Sequence, residues 1–71
     1  MSKTDKLLAK LKNGTIDANE LRTLLSKLGW VLDRQSGSHE QWIGPKEQRL
    51  TLAAQGKELR RYLIKETQEK I

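Results

Sequence analysis

Gly37-Ser38-His39 holds the only histidine of a 71-residue chain that has no cysteine, so any proton transfer near neutral pH rests on one imidazole. The lack of cysteine removes thiolate chemistry, disulfides and the common structural zinc sites. A single histidine leaves a transition metal only carboxylates as further ligands, so neither a metal nor a cofactor is expected. The plain alternative is a surface histidine with no chemical role.

The residues around His39 argue for placement. Leu32-Asp33-Arg34-Gln35-Ser36 and Glu40-Gln41-Trp42-Ile43 have strand-like content, and Gly37 with Ser38 supplies the turn between them. A residue just past a tight turn is held by strand pairing yet remains reachable from solvent. With a strand period of 2, Gln41 and Ile43 share the side of His39, while Ser38 and Glu40 point the other way. Ser38 is therefore poorly placed as a nucleophile beside His39, whereas Gln41 could orient the imidazole.

The elements that must hold this turn can be read on either side of it. Ser2 can cap a first helix in which Leu7, Leu8 and Leu11 share a face, and Asn13-Gly14 stops it. Asp17, with Glu20 three residues on and Ile16 set to meet Leu21, is a capping box with a hydrophobic staple. Leu21, Leu24, Leu25 and Leu28 then form one buried stripe, and Gly29 ends the second helix. Trp30–Gln35 and His39–Ile43 read as strands, Gly44-Pro45-Lys46-Glu47 as a turn, and Gln48–Leu52 as a returning third strand. From Lys57 onward, Leu59, Tyr62, Leu63 and Ile71 fall near one helical face, with Arg60, Arg61 and Lys65 elsewhere. The order α-α-β-β-β-α predicts a two-layer α+β fold, a three-stranded antiparallel sheet with helices on one face, in which the second and last helices pack together.

Size and charge narrow the function classes. A single small domain buries a thin core, so a shallow site acting on a large substrate fits better than a deep cavity. Fourteen Lys and Arg against nine Asp and Glu give a net charge of +5, the balance of a chain that meets polyanions. The excess sits at the two ends, in residues 1–14 and 53–71, while 15–52 is neutral. Leu7-Leu8-Ala9 is too short for a signal core or a membrane span, so a cytoplasmic protein with no membrane partner is expected.

Leu24-Leu25-Ser26-Lys27-Leu28-Gly29-Trp30, then Arg34-Gln35-Ser36-Gly37-Ser38-His39, then Gly56-Lys57-Glu58-Leu59, resembles in order and spacing the HicA family of bacterial toxin–antitoxin endoribonucleases. The likeness covers about residues 18–71. It implies a fold like the double-stranded-RNA-binding domain, mRNA cleavage by the histidine of Gly-Ser-His, and neutralisation by a HicB antitoxin. Residues 1–14 then read as an N-terminal helical extension and 15–71 as the ribonuclease domain. The chain departs from the family where Glu40 stands in the place often held by a second histidine, in lacking a proline at the start of the last helix, and in its extra first helix.

RNA carries its own nucleophile, the 2′-hydroxyl, so one base can suffice without serine or metal. His39 is the candidate catalytic base, worth roughly 10²- to 10⁴-fold. Arg34, just before the turn, and Lys57, at the start of the closing helix, are candidates to bind RNA and to stabilise charge on the phosphate. Trp30 and Trp42 could stack on bases, but core packing suits both, Trp30 more clearly. The alternatives are a non-catalytic RNA- or DNA-binding module and a protein-interaction domain docking through its leucine-rich first helix.

Overall fold

The structure is a computed structural model that describes residues 3–55, 58–59 and 61–71; Ser2, Gly56, Lys57 and Arg60, singled out above, lie outside the described residues. Helices α1 (Lys3–Asn13) and α2 (Ala18–Lys27) precede strands β1 (Val31–Ser36), β2 (His39–Ile43), β3 (Arg49–Gln55) and β4 (Glu58–Leu59), and α3 (Arg61–Lys70) closes the chain. The strands form one antiparallel sheet in the order β1-β2-β3-β4, its first three making the expected meander. From residue 18 onward the order is α-β-β-β-α with a two-residue addition to the sheet, the layout of a double-stranded-RNA-binding-like domain, and α1 is the extra N-terminal helix.

Local chemistry explains the placement of α2. The Asp17 carboxylate accepts from the Glu20 amide at 2.8 Å and the Glu20 carboxylate accepts from the Asp17 amide at 3.2 Å, the reciprocal capping box read from the sequence. At the other end Gly29, at φ +90°, lets the Trp30 amide reach Leu25 O at 2.9 Å and its own amide reach Ser26 O at 3.2 Å. This six-to-one, five-to-two pair of bonds satisfies the last carbonyls and turns the chain into β1. Leu25 and Trp30, joined by the longer loop of bonds, are both buried in the core.

That core lies between the inner sheet face, through Trp42, Leu50 and Leu52, and all three helices, through Leu7, Leu11, Leu21, Leu24, Leu25, Leu63 and Ile64. Both tryptophans are buried, which removes them as stacking platforms for bases. The exposed aromatic side chain is instead Tyr62, 60% accessible, which does not share the buried face of Leu63.

The last helix departs from its expected course. It starts at Arg61 rather than Lys57, because Glu58 and Leu59 pair with Gln55 and Ala54 as β4. Its buried face is Leu63, Ile64 and Thr67. A polar residue is tolerated there because Thr67 Oγ1 donates to the Leu63 carbonyl at 2.8 Å. The helices also meet differently: α2 and α3, expected side by side, are each packed against α1. Gln68 of α3 donates to Leu11 O at 2.7 Å, and Lys10 pairs with Glu20 of α2. Among the described residues no helix is long and apolar enough to cross a membrane.

Candidate active site on the open sheet face

The hairpin between β1 and β2 is as tight as the sequence implied. Ser36 pairs with His39, leaving Gly37 and Ser38 as a two-residue turn, with Gly37 at φ +59°. A positive φ at the first turn position matches the right-handed twist of the strands, and glycine takes it without a Cβ penalty. His39 is the first residue of β2 and is exposed.

The register builds outward from that point. His39 lies opposite Ser36 on one side and Ala53 on the other, and Gln41 lies between Arg34 and Thr51. Residues paired directly across antiparallel strands share a face, as do residues two apart on one strand. Val31, Arg34, Ser36, His39, Gln41, Ile43, Arg49, Thr51 and Ala53 therefore share the sheet face turned away from the helices. These nine include three basic or imidazole side chains and no carboxylate.

Arg34 reaches this face through a change of register. The pairing passes from Leu32 opposite Trp42 to Arg34 opposite Gln41, so Asp33 is the extra residue of a bulge. Without that shift, strict alternation would set Arg34 on the same sheet face as Leu32 and Trp42. Arg34 ends diagonal to His39, about 7–8 Å away between backbones, a gap its long side chain can span. Among the described residues neither Arg34 nor Gln41 makes a side-chain hydrogen bond to His39. Lys57, the second expected cation, lies outside the described residues.

The inner face directly behind carries the opposite chemistry. Glu40 is buried, with Arg22 Nε donating to its two oxygens at 3.0 and 2.9 Å and Arg22 Nη2 at 2.6 Å. Trp42 Nε1 donates to Glu40 Oε1 at 3.2 Å, and Arg22 Nη1 reaches Asn19 Oδ1 at 2.9 Å. A buried carboxylate that accepts from a forked guanidinium and an indole is fully engaged. Glu40 thus locks β2 onto α2 and does not reach the His39 face.

Two features of the site escaped the sequence reading. The Arg22–Glu40–Trp42 cluster joins residues 18 apart, and only the inward direction of Glu40 was legible. Arg49 was not singled out, although its pairing with Ile43 sets it on the open face. Its signal was available in the alternation of Arg49, Thr51 and Ala53 with the buried Leu50 and Leu52.

A solvent-facing imidazole with nearby guanidinium groups on a flat, uncovered sheet can act on an extended anionic substrate. It suits a small-molecule pocket poorly. A family model described as HicA toxin of bacterial toxin-antitoxin matches residues 18–70, from the first residue of α2 to the last of α3. No curated protein and no solved structure matches the chain.

Proposed function

The chain belongs to the HicA toxin family, the toxin side of bacterial toxin–antitoxin pairs, and from that premise we propose that it is a metal-independent endoribonuclease that cleaves mRNA with His39 as its catalytic base. The carrying observation is the isolation of His39 on an open sheet face beside Arg34, with Glu40, the nearest carboxylate in sequence, engaged on the other side.

In the reaction the neutral imidazole of His39 takes the proton of a ribose 2′-hydroxyl as that oxygen attacks the adjacent phosphorus. The bond from phosphorus to the 5′-oxygen breaks, and the departing oxygen takes a proton from solvent or from the imidazolium. The products are a 2′,3′-cyclic phosphate and a 5′-hydroxyl. Arg34 neutralises the negative charge that builds on the non-bridging oxygens, and Gly37 and Ser38 hold His39 at the mouth of the turn. Gln41 and Thr51 line the same face as polar contacts for the strand of RNA, and Lys57 is assigned a phosphate.

The partner implied by this reading is a HicB-like antitoxin, which neutralises the toxin by covering the open face. Incubating the purified chain with RNA and mapping the ends tests the proposal. Cyclic-phosphate products that form with the parent and are lost with His39→Ala support it, whereas equal cleavage by that variant refutes it.

A further inference from the structure

A groove of about 440 Å³ runs between the turn that ends α1 and the outer surface of α3, lined by Asn13, Gly14, Arg61, Ile64, Lys65 and Gln68. Its two charged side chains are both cations, one helical turn apart on α3, and both are exposed. Neither makes an ion pair or a hydrogen bond within the described residues. Two other cations of α1 and α3 are engaged, Lys10 with Glu20 and Lys70 with Glu66 at 3.1 Å.

Behind the opposite wall the carbonyls of the last turn of α1 are already engaged. Leu11 O takes the Gly14 amide at 3.1 Å and Gln68 Nε2 at 2.7 Å, and Lys10 O takes the Thr15 amide at 3.0 Å. The groove has an apolar floor at Ile64, and its charged groups are the cations Arg61 and Lys65. The first turn of α3 contains no acidic residue to offset Arg61. Such a surface is complementary to an anion.

The sheet connects this groove to the open face. His39 pairs with Ala53, the next residue Ala54 pairs with Leu59, and Arg61 follows two residues later. Strand spacing and chain reach keep the backbones of Arg61 and His39 within about 20 Å, the span of a few nucleotides of extended RNA. Lys65 lies one turn, about 6 Å, further along α3.

We propose that this groove is a second phosphate-binding site for the RNA, in which Arg61 and Lys65 hold backbone phosphates of the strand a few nucleotides from the bond cleaved at His39. The inference rests on the ribonuclease reading and adds to it the path of the substrate across the β4 edge. Because α1 builds one wall, the site depends on the helix that lies outside the family match.

The test uses the full chain carrying His39→Ala, so that RNA survives, and compares Arg61→Gln, Lys65→Gln and the double variant for binding to a labelled twelve-nucleotide RNA and to a trinucleotide. Lys27→Gln, an exposed cation on α2, serves as the charge control, and thermal midpoints confirm folding. On the long RNA each groove variant is expected to bind several-fold more weakly and to flatten the slope of log affinity against log salt by about 0.7, the single-strand value for one lost phosphate contact. On the trinucleotide, too short to reach from His39, no difference is expected. Unchanged long-RNA affinity and slope, or an equal loss on the trinucleotide or with Lys27→Gln, overturns the proposal. Unchanged RNA binding with weakened antitoxin binding also overturns it and transfers the groove to a protein partner. Cleavage by the parent chain is measured alongside. If the parent cleaves while the groove variants bind as before, only this inference fails; if the parent neither cleaves nor binds RNA, the ribonuclease reading falls and this site falls with it.

Discussion

His39 and Glu40 are consecutive on β2 and face opposite sides of the sheet, the imidazole exposed and the carboxylate buried against Arg22 and Trp42. The residue that follows the histidine thus fastens β2 to α2. The proposed reaction then rests on one imidazole, whose strand is held from the opposite side of the sheet.

Breaking that fastening is expected to cost stability. Arg22→Ala leaves a buried carboxylate with only the Trp42 indole, and loss of one partner of a buried pair costs 3–5 kcal/mol, reduced here to about 2–4 because the Arg22 side chain is partly exposed. Denaturant unfolding measures this directly. A midpoint equal to the parent's would show that Glu40 finds another partner.

Substitution of His39 should separate chemistry from folding. An exposed side chain at a strand end carries little packing, so His39→Gln is expected to leave stability within about 0.5 kcal/mol while cleavage disappears. Growth arrest on induced expression should vanish with it. Cleavage by His39→Gln at the parent's rate would remove the base role.

Arg34 and Gln41 make a contrasting pair, since they face one another across β1 and β2 but differ in charge. Arg34→Ala is expected to slow cleavage roughly 10- to 100-fold, mainly in kcat, as loss of one donor to developing charge does. Gln41→Ala should change KM more than kcat, because its amide makes no bond to the imidazole. Single-turnover rates at saturating RNA distinguish the two, and equal losses in kcat would assign Gln41 an orienting role.

Much of this site was legible because its signals are local. The Gly37-Ser38 turn, the Asp17–Glu20 box and the Gly29 stop each depend on residues close by in the chain, and each forms as read. The parts not legible depend on distant partners. The bulge at Asp33 leaves no compositional mark, and the burial of Thr67 depends on a bond to Leu63 that hydrophobic patterning does not register. Tyr62 was grouped with Leu63 on one helical face, yet it stands on the far side of α3 from Leu63 and Ile64, because the helix begins at Arg61 and buries Leu63, Ile64 and Thr67.

Cleavage is expected to persist in excess chelator. The chain supplies one imidazole and no thiolate, and among the described residues no three His, Asp or Glu side chains gather as a metal site would require. RNA incubated with the chain and EDTA should yield the same ends as without it. Activity lost to EDTA and restored only by a divalent ion would refute the metal-free mechanism.

The first helix provides the sharpest conflict between family boundary and packing. The family match begins at residue 18, and Asn13-Gly14 looks like a dispensable junction, which together suggest that residues 1–13 can be removed. Yet Leu7 and Leu11 are 5% and 2% exposed within the same core as Leu24 and Leu63, and α1 is packed against both other helices. Truncating one buried leucine to alanine costs about 2–5 kcal/mol, a large share of the stability of a small domain. Leu11→Ala is therefore expected to lower the unfolding midpoint strongly, and deletion of residues 1–13 to abolish a cooperative transition. The hydrogen bond and charge of Glu20 raise the pKa of Lys10, so the ion pair that ties α1 to α2 contributes fully below the ordinary lysine range and is lost as pH climbs through the raised value. Loosening of α1 should thus appear first under alkaline conditions, read as hydrogen exchange in Lys3–Asn13 ahead of β2. A truncated chain that unfolds cooperatively at the parent's midpoint would show that Leu7 and Leu11 rest on a core already complete without them.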